Sequence, residues 1–309
     1  MRVLIATDFS PHAEDAVKIV KRLALPFGST VRLLHAIEPF ADVATLNPVA
    51  ITAFTDAAVT QVKSELDRAA VTLRAPERVV ETVTVLGRVA DAIVAEAESS
   101  KADLIVVGSR GRNALKSTLL GSVSAEVVDR APCPVIIARG PAFRKVILAD
   151  DGSETAAAGA RFLAVSPALS DVAVHVVSVV DAPFPSMLIG SDAATGAYAA
   201  VQAYYEALPA LRETTAKIAR ERAGALVAAA LNATSEVREG NAADELIAAA
   251  AEARADCIVI GTHGRTGLTR LFLGSVARAI LFKAPCSVLI VPGVKAGSRL
   301  RERVLAASN

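Results

Sequence analysis

DLIVVG at 103–108 runs on into Ser109-Arg110-Gly111, and DCIVIG at 256–261 runs on into Thr262-His263-Gly264; after nine more residues each reaches a Gly-Ser pair, Gly121-Ser122 and Gly274-Ser275. An apolar run ending in glycine, a second glycine three residues on, and a third before a helical stretch make one pattern written twice. All three glycines are displaced by 153 positions, from 108 to 261, 111 to 264 and 121 to 274, as are Cys133 and Cys286 in APCPV and APCSV. The chain is therefore a tandem duplication. RVLIATDFS at 2–10 repeats as KVILADDGS at 145–153, pairing Asp8 with Asp151 and Ser10 with Ser153 at an offset of 143. The ten residues by which the offsets differ must enter the second copy between its first strand and LNATSEVREG, and SMLIGSDAATGAYAA at 186–200 is where they are expected.

Working outward, each half alternates short β-branched runs with alanine-rich helical periodicity, the signature of parallel strands joined by helical crossovers. Strands are expected at 3–7, 31–37, 79–85, 103–108 and 134–138, and again at 146–150, 172–180, 234–239, 256–261 and 287–291. Near-continuous apolar runs such as LIVVG imply strands covered on both faces. The fold class is α/β: two tandem Rossmann-like domains, each a five-stranded mostly parallel sheet with helices on both faces. The first is expected over 1–140 and the second over 141–293, with 294–309 as a polar tail expected to fray. Pro11 with Glu14, and Ser153 with Glu154, open the helices after the first strands. PVIIA and SVLIV, the last strand of each half, are edge candidates, and a tandem chain satisfies their pairing internally as a pseudo-dimer. A homodimer of two chains stays open.

Composition narrows the function. Of 309 residues, 33 are Lys or Arg and 32 Asp or Glu, which leaves no basic surplus for nucleic acid and no polybasic membrane anchor. No apolar run approaches the roughly 18 residues of a membrane span, and MRVLIATDFSPHAED meets Asp8 too early for a signal peptide. A cytoplasmic protein is expected. Cys133, Cys257 and Cys286 have no metal-ligand spacing and read as small buried apolar residues. His12, His35 and His175 read as structural; His263, inside a glycine loop, is the histidine placed to approach a ligand.

The loops carry the chemistry. A strand ending in Gly108 and followed by Gly111 brings bare backbone to the carboxyl edge of the sheet. Gly121-Ser122 then falls at the start of LLGSVSAEVVDR, where unpaired N–H groups and the positive helix end attract anions. Phosphate fits, with Ser122 and Ser124 adding hydroxyls. The competing reading is that these glycines serve a tight turn and close helix packing. Arg112 and Arg265, at equivalent positions, either counter phosphate charge or stand solvated.

These residues resemble the universal stress protein family, whose nucleotide-binding members show Gly-x2-Gly-x9-Gly followed by Ser or Thr, with an Asp closing the first strand. The resemblance spans nearly the whole chain, one family domain per half, with ATDFS, HAIEP and APCPV or APCSV in order. It implies ATP or another adenine nucleotide as ligand, with Mg²⁺ or Mn²⁺, where present, held by phosphates. Carried over by position, Asp8 and Asp151 sit against the adenosine with Thr7 beside the first; Ala36 and Val179 offer backbone to the adenine edge. Val107 and Ile260 give the base an apolar surface. Gly108, Gly111, Gly121, Ser122, Val123 and Ser124 surround ribose and phosphates, and Gly261, Gly264, Gly274, Ser275 and Val276 repeat the cradle. Ser124 is matched by Ala277, so the second site is expected to be the weaker.

Other functions stand against this one. A phosphate-transfer engine lacks GxxxxGK[ST], a pyrophosphatase-type synthetase lacks paired glycines after the first strand, and no GxGxxG marks a dinucleotide dehydrogenase. No catalytic residue is assigned, and the chain reads as a nucleotide-responsive stress module. Slow ATP hydrolysis and a scaffold without nucleotide are the alternatives.

Overall fold

The crossovers expected from sequence are all present. A computed structural model describes residues 1–38, 48–111, 120–181, 194–262 and 273–293, leaving aside the side chains of 48–54 and 194–201. The first half runs β1 (Arg2–Ala6), α1 (Pro11–Arg22), β2 (Ser29–Ile37), α2 (Pro48–Leu73), β3 (Arg78–Leu86), α3 (Val89–Ser99), β4 (Leu104–Gly108), α4 (Ser122–Arg130) and β5 (Val135–Ala138). The second repeats it as β6 (Lys145–Ala149), α5 (Glu154–Val165), β7 (Ala173–Val180), α6 (Ala194–Ala228), β8 (Asn232–Glu239), α7 (Ala242–Glu252), β9 (Cys257–Gly261), α8 (Ser275–Lys283) and β10 (Ser287–Val291). Each of the ten expected strands is found within a few residues of its place.

Local chemistry starts the helices where the sequence puts them. Ser10 and Ser153 accept from the amides of Ala13 and Ala156 at 3.3 and 3.2 Å, and Pro11 occupies the first turn of α1, where its missing N–H costs nothing. Asn241 caps α7 through Ala243 and Asp244. The insertion in the second copy appears in α6, at 35 residues against 26 for α2; residues 182–193 lie outside the described residues.

All ten strands join one sheet in the order β3-β2-β1-β4-β5-β10-β9-β6-β7-β8. Strands are parallel within each half, as in Ile5 against Leu33 and Val106. The single antiparallel seam sets β5 against β10, Ile136 opposite Leu289. The last strand of each half is thus the edge of its own five-stranded set, yet it is buried at the centre of the molecule; the outer edges are β3 and β8. Helices α1, α2, α5 and α6 build one continuous apolar core on one face, and α3, α4, α7 and α8 a second on the other. Cys133 and Cys257 are buried as expected, but Cys286 is only half-buried. Among the described residues no helix is long and apolar enough to cross a membrane. The tail at 294–309 lies outside them.

Candidate functional site

In each half the strand order reverses between the first strand and the fourth, β1 and β4 or β6 and β9. Such a switch point leaves a crevice at the carboxyl ends of the strands, because the crossovers on its two sides leave in opposite directions. In the first half this crevice is a cavity of about 670 Å³. One end is apolar, walled by Leu34 and Ala36 from β2, Val107 from β4, Val89 and Ile93 from α3, and Leu120. The other end holds Asp8, Arg110, Gly111 and the first turn of α4.

The polar end is set by tight turns. Asp8 accepts the Ser10 amide at 3.0 Å, and the turn needs a left-handed residue after the acid: Phe9 has φ 59°, and Gly152, its counterpart, φ 79°. Phe9 stacks on His35 with centroids 4.9 Å apart, and His35 Nδ1 donates to the Thr7 carbonyl at 2.7 Å. The Thr7 hydroxyl accepts the Phe9 amide at 3.0 Å. Glu38, at the rim, accepts the Val89 amide at 3.3 Å, where α3 begins without a cap from its own preceding residue.

The glycines divide by role. A Cβ on Gly108 would stand 2.7 Å from the His12 carbonyl carbon, and one on Gly261 would stand 2.7 Å from that of Thr155. Close helix–strand packing therefore requires the first glycine of each loop, so the reading that helix packing accounts for these glycines holds there. On Gly111 the same atom would meet Asp8 Oδ2 at 2.9 Å, so the second glycine lets the loop close over the carboxylate. Gly121 and Gly274 tie the loops back, their amides donating to Ser109 and Thr262 carbonyls at 2.8 and 2.7 Å. Each precedes a helix with no side-chain cap. The amides of Ser122, Val123 and Ser124 consequently have no intrahelical acceptor, and all three residues line the crevice.

Two expectations change. The Ser124 hydroxyl is buried and donates to the Gly108 carbonyl at 2.8 Å, so its proton is spent inside the loop rather than offered to a ligand. The missing hydroxyl at Ala277 therefore gives no reason for a weaker second site. Arg112, His263, Gly264 and Arg265 lie outside the described residues. Arg110 is the residue sequence reading passed over: its Nε is buried in the loop with no hydrogen-bond partner among the described residues, and it lines the crevice. Glu38 was passed over too, while His35, read as structural, holds the Thr7 turn and also lines the crevice.

The second crevice is built alike but encloses about 190 Å³. Val179, Ile260, Leu246 and Val177 wall it, with Asp151, Gly261, Gly274, Ser275 and Val276 at the polar end. Asp151 accepts the Ser153 amide at 3.0 Å. Asp150, where the first half has Thr7, has a wholly buried side chain that accepts from Arg222 Nε of α6 at 2.6 Å and from the Gly152 amide at 2.9 Å. Among the described residues no cluster of His, Cys, Asp or Glu is arranged to hold a metal ion.

Comparison with known proteins meets this architecture. The universal stress protein family profile matches residues 1–139 and again 142–292. A universal stress protein of Thermus aquaticus is 37% identical over 143 residues, 44% of this chain and 97% of that relative. One from Mycobacterium bovis is 34% identical over 205 residues, a match that spans 62% of either chain and so less than two thirds of the relative. One from Mycolicibacterium smegmatis is 28% identical over 309 residues, 94% of this chain and 96% of the relative. The solved universal stress protein from Archaeoglobus fulgidus matches at TM-score 0.66 and 17% identity, over 95% of this chain and 98% of that one, a likeness of fold.

Proposed function

The chain belongs to the universal stress protein family as a tandem two-domain member, and from that premise we propose that its first half binds an adenine nucleotide, ATP foremost, as a nucleotide-responsive module rather than as an enzyme. The observation that carries this reading is the first crevice itself: about 670 Å³, apolar at one end and lined at the other by Asp8, Arg110, Gly111, Gly121 and the first turn of α4. Ligand pockets for molecules of this size run from about 300 to 1,000 Å³. The base takes the apolar end between Ala36 and Val107, where backbone at the tip of β2 reads its edge. Asp8, fixed by the Ser10 amide, accepts the ribose hydroxyls, with Thr7 behind it.

The phosphates lie across Gly111 and Gly121 onto the first-turn amides of Ser122 and Val123, with Arg110 as the countercharge. The Arg110 Nε is buried with no acceptor among the described residues, which is costly unless a ligand supplies one. Any Mg²⁺ or Mn²⁺ is then held by phosphate oxygens and water. Calorimetric titration of the full chain with ATP tests this. Saturable binding is expected, and Arg110→Ala weakens it about ten- to a hundred-fold, the equivalent of losing a hydrogen bond to a charged group at about 1.5–3 kcal/mol, while adenosine affinity stays put. Absence of binding at millimolar ATP rejects the reading.

A further inference from the structure

We propose that Val179 and Ile260 close the second crevice to adenine nucleotides, so that each chain takes one nucleotide, in its first half. The inference rests on the nucleotide reading above and adds which half is loaded and which residues decide it. The repeat aligns the walls position by position. Val179 at the tip of β7 stands where β2 has Ala36, and Ile260 at the tip of β9 stands where β4 has Val107. Two opposite changes nearly cancel them in volume: Ala242 replaces Val89, and Val177 replaces Leu34. Yet the second crevice holds about 190 Å³ against about 670 Å³. What differs is where the bulk stands. The added methyl groups sit on the two strand tips that flank a flat base, and the atoms removed leave space deeper in the strand and at the first turn of α7, where a base between the tips gains nothing.

The second crevice is also braced. Asp150 and Arg222 are a paired replacement for Thr7 and Ala69, and they tie the tip of β6 to α6 with a carboxylate that is fully buried. Opening the site by shifting that tip would strand a buried charge, so the narrow form is held. In the sequence His263 takes the place of Arg110, so the permanent cation of the first loop is not repeated at that position.

Titration of the full chain with ATP, with circular dichroism to confirm folding, tests the assignment. One nucleotide per chain is expected for the wild type, and two for the Val179→Ala, Ile260→Val double variant. Ala36→Phe, which plugs the first crevice, is expected to abolish binding. Two sites in the wild type, a folded double variant still binding one, or full binding in the folded Ala36→Phe variant would each overturn the gatekeeping. A wild type that binds no adenine nucleotide sinks the nucleotide reading instead, and this inference with it.

Discussion

At the scale of the residue, one glycine signature answers two physical demands. Gly108 and Gly261 are glycine because a helix backbone lies against them; Gly111 because a carboxylate does. Gly108→Ala is expected to destabilise the fold by about 1–3 kcal/mol through overpacking, read as a lowered urea midpoint. Gly121→Ala, whose added atom meets neighbours at 3.5 Å, leaves that midpoint nearly unchanged. Sequence alone shows the glycines and not their neighbours, which is why helix packing and ligand approach stood as rival readings of all three. Arg110 escaped for a related cause: it is matched by His263, and a search for what both copies share discards it. Cys133 shows the buried end of the scale, its thiol pushed by burial from near 9.0 up to about 12. A pKa raised in the folded state stabilises below the unfolded value and is lost as pH climbs toward the folded one. Stability from this thiol should therefore fall between about pH 9 and 12, and a thiol reagent at pH 8 should label Cys133 only after unfolding.

At the scale of the element, the strands were legible because each is a short apolar run bounded by turn residues, and the caps because Ser10 and Ser153 do what serine does at a helix start. The insertion was located by arithmetic between repeats, and the structure assigns most of it to the longer α6. What could not be read was the use made of that helix. Arg222 on α6 and Asp150 just past the end of β6 are 72 positions apart, with nothing local to relate them. Arg222→Met leaves the Asp150 carboxylate buried and unpaired, an expected loss of about 3–5 kcal/mol. Asp150→Thr with Arg222→Ala, which restores the pair found in the first half, should cost clearly less, and a denaturant series on the three proteins checks the order.

At the scale of the whole molecule, the seam between β5 and β10 makes two halves one sheet, and Arg139 fastens it. Its backbone amide donates to Ser287 Oγ at 3.1 Å, and its guanidinium donates to the carbonyls of Cys286 and of Leu281 at the end of α8. Burial lowers its pKa to about 10, still charged at neutral pH. Arg139→Ala leaves those carbonyls short of a donor, and the unfolding midpoint should drop by the equivalent of about 1–3 kcal/mol. The same seam decides orientation. Since β5 and β10 run antiparallel while each half is parallel inside, the carboxyl ends of β1–β5 point away from those of β6–β10. The two crevices accordingly open at opposite poles. Whatever meets one crevice mouth approaches from the opposite side of the molecule to whatever meets the other.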